Sequence, residues 1–304
     1  MVQSMMKHQL IKSCSGGLLP SSTLRKFEND CNSDSMVGEV MTFKERSLVI
    51  QKKIATGSFS KIYKGAVSIK SPGFALKFLL NKSTKDKKRV ALEMEAIRNI
   101  SKKPSYRNHF PRFISVTSFN DFKCIIMERM NTNLRFYMAS NRRRLFKLKD
   151  IRQISKQLLS AIVYLHNMEY IHTNIKPENI MIVDVKTSPI QIKLCGFGHS
   201  MTTSSALSST GKQIQPLHYR SPEILFGLPF CDSIDIWSIG CILAELYIGS
   251  VLYSGKTEAQ MVKYIAETQG FPSHLEQSKY WSHYVVPADS VDFHYQTLTM
   301  TINV

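Results

Sequence analysis

The chain changes its hydrophobic period once, and that change constrains its fold more than any other feature. Leu48 to Thr56, Lys61 to Ser68 and Gly73 to Leu80 read as three strands with turns between them. Lys85 to Ile100 reads as a helix, with Val90, Met94 and Ile97 as its apolar positions. Phe113 to Phe119 and Lys123 to Met127 read as two more strands. After a polar joint at Asn131 to Asn133 the pattern turns helical. Ile151 to Asn167 carries Ile154, Leu158, Ile162 and Leu165 on one face. Ser233 to Ile248 and Glu258 to Gln269 read as two further helices. Five strands and a helix followed by helices predict an α+β chain with two lobes, 45–130 and 131–304. Residues 1–44 are polar, without a sustained period, and are expected to form a disordered tail.

The 304 residues are 43% hydrophobic, enough for one large domain or two small lobes with cores. The formal charge of +17 includes the runs Lys85–Arg89 and Arg142–Arg144. These runs are short and scattered, so they read as solvated surface. The alternative is attraction to acidic peptides, nucleic acid or a nuclear import receptor, and nothing beyond the charge indicates nucleic acid. The six cysteines include no C-x-x-C pair and read as core thiols of a reducing compartment. Met1 to Leu19 lacks the apolar core of a signal peptide, and Ile239 to Tyr253 contains Glu245 and is too short to span a bilayer. A soluble intracellular chain without a membrane partner is expected.

Two short stretches carry the chemistry. His172-Thr173-Asn174-Ile175-Lys176-Pro177-Glu178-Asn179 has the layout of a protein-kinase catalytic loop, H-R-D-L-x-x-x-N. His172, Lys176 and Asn179 are in place, but the aspartate position holds Asn174. A carboxylate can take a proton from a hydroxyl; a neutral amide cannot. Where D-F-G belongs, the chain reads Gly196-Phe197-Gly198, with no carboxylate for magnesium.

An ordered series surrounds these stretches. Ile54-Ala55-Thr56-Gly57-Ser58-Phe59-Ser60-Lys61-Ile62 resembles the glycine-rich phosphate loop, with Ala55 and Ser60 in place of its outer glycines. Phe74-Ala75-Leu76-Lys77 resembles V-A-I-K, and Glu93 is the expected partner of Lys77, with Glu95 as the alternative register. Met127-Glu128-Arg129-Met130 resembles the hinge that meets adenine, with Met127 as gatekeeper. Ser221-Pro222-Glu223 stands for A-P-E, and Asp235-Ile236-Trp237 follows, with Asp235 expected to bond the catalytic-loop backbone.

From Leu48 to Pro272 the chain therefore resembles the protein kinases. Tyr219 to Cys231 and Thr268 to Pro272 look like the homeodomain-interacting protein kinases and their dual-specificity tyrosine-regulated relatives, in the CMGC group. The resemblance implies a bilobal fold with Ile54, Gly57, Ile62, Ala75, Lys77, Glu93, Met127, Glu128 and Met130 around ATP. It places Asn174 and Lys176 at catalytic positions and Asn179 and Gly196 at metal positions. It also puts Gln213 where that group autophosphorylates a tyrosine. Leu217 stands where an arginine helps bind the modified tyrosine, and Thr173 where an arginine receives activation-loop phosphate. His172 and Phe197, which belong to the stacked apolar spine of kinases, are kept.

Kinases usually add two more helices beyond the segment ending near Pro272, and Ser282 to Val304 shows no helical period. A truncated C-terminal lobe is therefore expected. Arg220 is the last arginine, so Glu223 lacks the downstream arginine with which this glutamate pairs in the family. The implied function is a pseudokinase, a binding or scaffold module with protein partners, weak ATP binding and doubtful use of Mg2+. The alternatives are an impaired but real serine/threonine kinase and a chain without stable function. Family resemblance points to the nucleus; the cytoplasm is the other expectation.

Overall fold

The structure, a computed structural model, describes residues 36–43, 46–57, 60–67, 73–79, 83–120, 122–141 and 146–270. Its first lobe is an antiparallel sheet. The strands are β1 (Val40–Phe43), β2 (Arg46–Thr56), β3 (Ser60–Ala66), β4 (Phe74–Leu79), β5 (Phe113–Phe119) and β6 (Phe122–Glu128). They are ordered β1-β2-β3-β4-β6-β5, and helix α1 (Thr84–Ile100) connects β4 to the second half. Tyr63, Leu76, Phe78 and Ile126 alternate inward and are fully buried on one face, as period-two strands require. Tyr63 and Phe78 meet edge to face at 5.5 Å.

Among the described residues the lobe has six strands, not five. The additional strand, β1, falls within the segment 1–44 expected to be tail. Met41 on β1 pairs with Leu48 on β2 and is 2% exposed. Four residues in a polar context are too few for alternation to register, and it is the partner strand that fixes them. Residues 1–35, Ser58 and Phe59 of the glycine-rich turn, Arg142–Arg144 and the segment 271–304 lie outside the described residues. The expectation of a shortened C-terminal lobe falls on the last of these.

The second lobe follows β7 (Thr132–Asn133) and α2 (Leu134–Ser140), whose first turn is capped by the Asn133 side chain accepting from Phe136 N at 2.8 Å. Helix α3 (Leu148–His166) begins three residues before the expected start, with Asp150 in its positive first turn. Its buried stripe, Ile154, Leu158, Ile162 and Leu165, is at most 1% exposed. Each such side chain contributes roughly 1.5–3 kcal/mol. Short strands β8 (Tyr170–Ile171), β9 (Ile180–Ile182), β10 (Ile192–Leu194) and β11 (Met201–Thr202) frame the loops 172–179 and 195–200. Helix α4 (Ser233–Ile248) packs on α3 and stops at Gly249, whose φ of +81° supplies a left-handed cap. Helix α5 (Glu258–Gln269) completes the described lobe. No helix among the described residues is long and apolar enough to cross a membrane.

Candidate functional site

The loop 172–179 is fixed from behind. Asp235, in the first turn of α4, is fully buried and accepts from His172 N at 2.7 Å and Thr173 N at 2.9 Å. His166 Nε2 lies 3.0 Å from the same carboxylate. His172 is itself buried. Its Nδ1 accepts from Asn174 N at 3.2 Å, so Nε2 carries the proton and donates to the Cys195 carbonyl at 3.1 Å. Burial holds the His172 imidazole below its ordinary pKa, which agrees with this neutral tautomer. Thr173 adopts φ +61°, an uncommon conformation for a β-branched residue, and its hydroxyl donates to the His199 carbonyl at 2.7 Å.

In front of this loop lies a cleft of about 760 Å³ between the lobes, within the size range of ligand pockets. Every residue that the resemblance assigns to nucleotide, catalysis or metal lies on its wall. Ile54, Gly57, Ile62, Ala75 and Lys77 come from the sheet, Glu93 from α1, and Met127, Glu128 and Met130 from the inter-lobe joint. Asn174, Lys176, Asn179 and Gly196 come from the two loops below. Gly57 N donates to Ser60 O at 2.8 Å, closing the turn over the cleft. Lys77 Nζ is paired with Glu93 Oε1, while Glu95 points to solvent, so the Glu93 register is the one formed. The rings of His172 and Phe197 lie 5.4 Å apart, and Phe110 meets Phe197 at the same spacing, which ties both lobes to the Gly196–Gly198 turn.

The carboxylates decide what charge this cleft can hold. Three line it, and each is bonded to a cation: Glu93 to Lys77, Glu128 to Lys193 at 2.8 Å, and Glu178 to Arg135 at 2.9 Å. Arg135 also pairs with Glu245 and donates from Nη2 to the Tyr219 hydroxyl at 2.5 Å. That hydroxyl donates onward to Glu245 at 2.7 Å, and burial together with this bond pushes the phenol pKa up. Gly196 adopts φ +93°. A Cβ there would stand 2.7 Å from Asn179 Cγ, because the Asn179 amide fills the adjoining space and donates to the Asn174 carbonyl at 2.7 Å. Magnesium prefers carboxylate and phosphate oxygens in near-ideal octahedral geometry. With Gly196 bare, and with each described cleft carboxylate bonded to a cation so that one buried oxygen, Glu178 Oε2, is left without a hydrogen bond, the residues present do not supply the set of oxygens that ion prefers. Among the described residues no cluster of His, Cys, Asp or Glu could hold a metal.

Asn174 Nδ2 lies 3.3 Å from His199 Nδ1. His199 is exposed as a residue but its ring is partly desolvated, and this desolvation first, then the positive charge of Arg89, lowers its pKa, so its imidazole is neutral at pH 7. Gln213 donates to Glu258 at 3.1 Å, and Glu258 also pairs with Arg220, so a neutral amide sits where a modified tyrosine is expected in the family. Leu217 packs on the C-terminal core. Glu223 Oε2 is buried and accepts no hydrogen bond among the described residues. Cys195 is a half-buried thiol whose pKa desolvation raises to about 12, and Cys124, Cys195, Cys231 and Cys241 are unbridged.

Three residues of this site escaped the sequence reading. Arg89 belongs to a run taken for solvated surface, yet it stands four residues before Glu93 and so shares its helix face. His199 carried no motif beyond following Phe197-Gly198. Arg135 could have been sought as a partner for Glu245, a carboxylate within an otherwise apolar helix.

The protein kinase domain family matches residues 48–302. The chain belongs to that family. Mouse homeodomain-interacting protein kinase 1 is 32% identical over 235 residues, 77% of this chain and 19% of that protein. Its Caenorhabditis elegans namesake is 33% identical over 219 residues, 72% of this chain and 26% of that one. Human homeodomain-interacting protein kinase 4 is 33% identical over 225 residues, 73% of this chain and 36% of that one. The kinase domain therefore spans well under half the length of these curated relatives, and the resemblance read at Tyr219–Cys231 agrees with them.

Proposed function

We propose that this kinase domain is a pseudokinase: a module that binds a nucleotide weakly, with little help from magnesium, and acts by binding protein partners. The observation that carries the reading is the chemistry of the cleft floor. The base position is the amide of Asn174, the metal position is Gly196, and the three cleft carboxylates are already paired. The relatives' name, homeodomain-interacting, extends the proposal to a protein partner, and the family resemblance extends it to the nucleus. A second reading, an impaired serine/threonine kinase, draws support from the Lys77–Glu93 pair and the anchored loop, which are the parts a kinase needs in place.

Single-turnover transfer from labelled ATP separates the two. A positioned base contributes about 10²–10⁴-fold, and a charge-stabilising group about 10²–10³-fold. Ordinary rates of about 1–100 s⁻¹ fall to roughly 10⁻²–10⁻⁷ s⁻¹ if the losses are independent. Asn174→Asp or Gly196→Asp alone leaves the other function missing, so neither repairs transfer. In the Gly196→Asp chain Asn179 must also shift to admit the new Cβ. Wild-type turnover near one per second, abolished by Lys77→Ala, would overturn the pseudokinase reading.

A further inference from the structure

A nucleoside polyphosphate brings several negative charges into a cleft, and in an active kinase divalent ions neutralise part of them. Among the described residues each carboxylate on this cleft is bonded to a cation, and of the three only Glu178 keeps a buried oxygen, Oε2, without a hydrogen bond. Among the described residues its wall carries four cationic side chains, Lys77, Arg89, Arg129 and Lys176, against three carboxylates. Two more cations, Lys193 and Arg135, neutralise two of those carboxylates from outside the lining. The balance favours an anion entering without a metal.

Arg89 is the informative member. On α1 it lies one turn before Glu93, on the face turned to the cleft. That face abuts the Gly196–Gly198 turn: a Cβ on Gly198 would stand 3.0 Å from Glu93 Oε2. The charge of Arg89 is also felt at His199, the residue after that turn. A guanidinium is therefore held next to the turn from which the metal-binding carboxylate has been lost. It is always protonated and presents a fork of N–H donors that matches phosphate oxygens.

We propose that the cleft takes a nucleoside polyphosphate as the metal-free anion, with Arg89 as the phosphate-binding cation in place of a divalent ion. The inference rests on the nucleotide-binding reading above and deepens it. It gives Arg89 a role that the resemblance leaves unassigned, and it makes a positive charge, not a metal ligand, the determinant of phosphate preference.

The test is calorimetric titration of the full chain with ATP in EDTA, ATP with excess magnesium, and adenosine. Wild type should bind ATP in EDTA at least as tightly as with magnesium, and more tightly than adenosine. Arg89→Ala should weaken metal-free ATP about tenfold, ~1.4 kcal/mol, and leave adenosine unchanged. Arg89→Lys should recover only part, because an ammonium lacks the fork. If Arg89→Ala melts early, Arg89→Gln, which keeps the stem and removes the charge, gives the same readout. An Arg89→Ala chain that binds ATP as wild type does overturns the inference and leaves the nucleotide reading standing, whereas a tenfold gain in ATP affinity from magnesium overturns the inference together with the magnesium-independence of that reading. Wild type that binds neither ATP nor adenosine removes both.

Discussion

The segment 172–179 has two faces with opposite chemistry. On its back, Asp235 is buried without solvent and accepts two backbone N–H groups, with His166 beside it. Nearby, Arg135 gathers Glu178, Glu245 and Tyr219 into one network. On its front, facing the cleft, the Asn174 amide stands in the position of one acid, and Gly196 of the neighbouring loop in that of the other. The back anchors the loop's backbone N–H groups from α4, and the front adds only neutral bonds, Asn179 Nδ2 to the Asn174 carbonyl and the Thr173 hydroxyl to the His199 carbonyl. Backbone geometry and proton chemistry are thus separable in this fold, and losing the second leaves the first intact.

The strongest way to break this comparison is on the back. Asp235→Ala leaves the N–H groups of His172 and Thr173 buried without an acceptor. The expected loss is about 3–5 kcal/mol in urea unfolding, the scale for breaking a buried charged network. A loss below about 1 kcal/mol would mean that the loop is held by something other than α4.

A smaller effect tests the front. Gly196→Ala meets φ +93° and a 2.7 Å approach to Asn179. The expected loss is about 1–3 kcal/mol. Combining it with Asn179→Ala should recover the contact part and leave the φ part. An unchanged melting temperature for Gly196→Ala would show that the cleft floor is open space and not packed.

Next comes pH. His172 is neutral in the fold, with its pKa pushed below 6.5 by burial and by His166 against the opposing pull of Asp235 and Glu93. The unfolded chain therefore takes up a proton first. The contribution is full above pH 6.5 and is lost as pH falls from there toward the lowered folded value. The slope is about 1.4 kcal/mol per pH unit per proton. His109 and His199 shift in the same direction. Urea unfolding at pH 7.5 and 5.5 should show lower stability at 5.5, and His172→Phe should reduce that slope. Equal slopes in the two chains would place a charged or solvated imidazole at 172.

The parts legible in the sequence were those fixed by local period or by motif order. Helices α3 and α4 follow from single apolar stripes and runs, and the Lys77–Glu93 pair follows from register. Strand β1 was hidden because four residues become a strand only through pairing with β2. Arg89 and Arg135 were hidden because their meaning lies in what they face across the chain. A helical position between Glu93 and a basic run looks like surface until the second lobe closes over it. The absence of magnesium ligands was legible at Gly196, but the occupation of Glu128 and Glu178 by Lys193 and Arg135 spans tens of residues of sequence and needs the fold.

The smallest effect on stability sharpens the comparison at the front itself. Asn174 Nδ2 lies 3.3 Å from His199 Nδ1, and partial desolvation of the ring with the charge of Arg89 holds the His199 pKa below its ordinary value. Asn174→Asp puts a carboxylate at that distance. A nearby negative charge favours the imidazolium, so the His199 pKa should rise toward its ordinary value by at least about one unit. Because the cleft is open to water there, the stability change at pH 7 should stay within about 0.5 kcal/mol, the usual range for a substitution that breaks no buried partner. NMR titration of the His199 ring in both chains measures the shift directly. An unmoved pKa would mean that the 174 side chain turns away from His199, and that a repaired base would find no proton acceptor beside it.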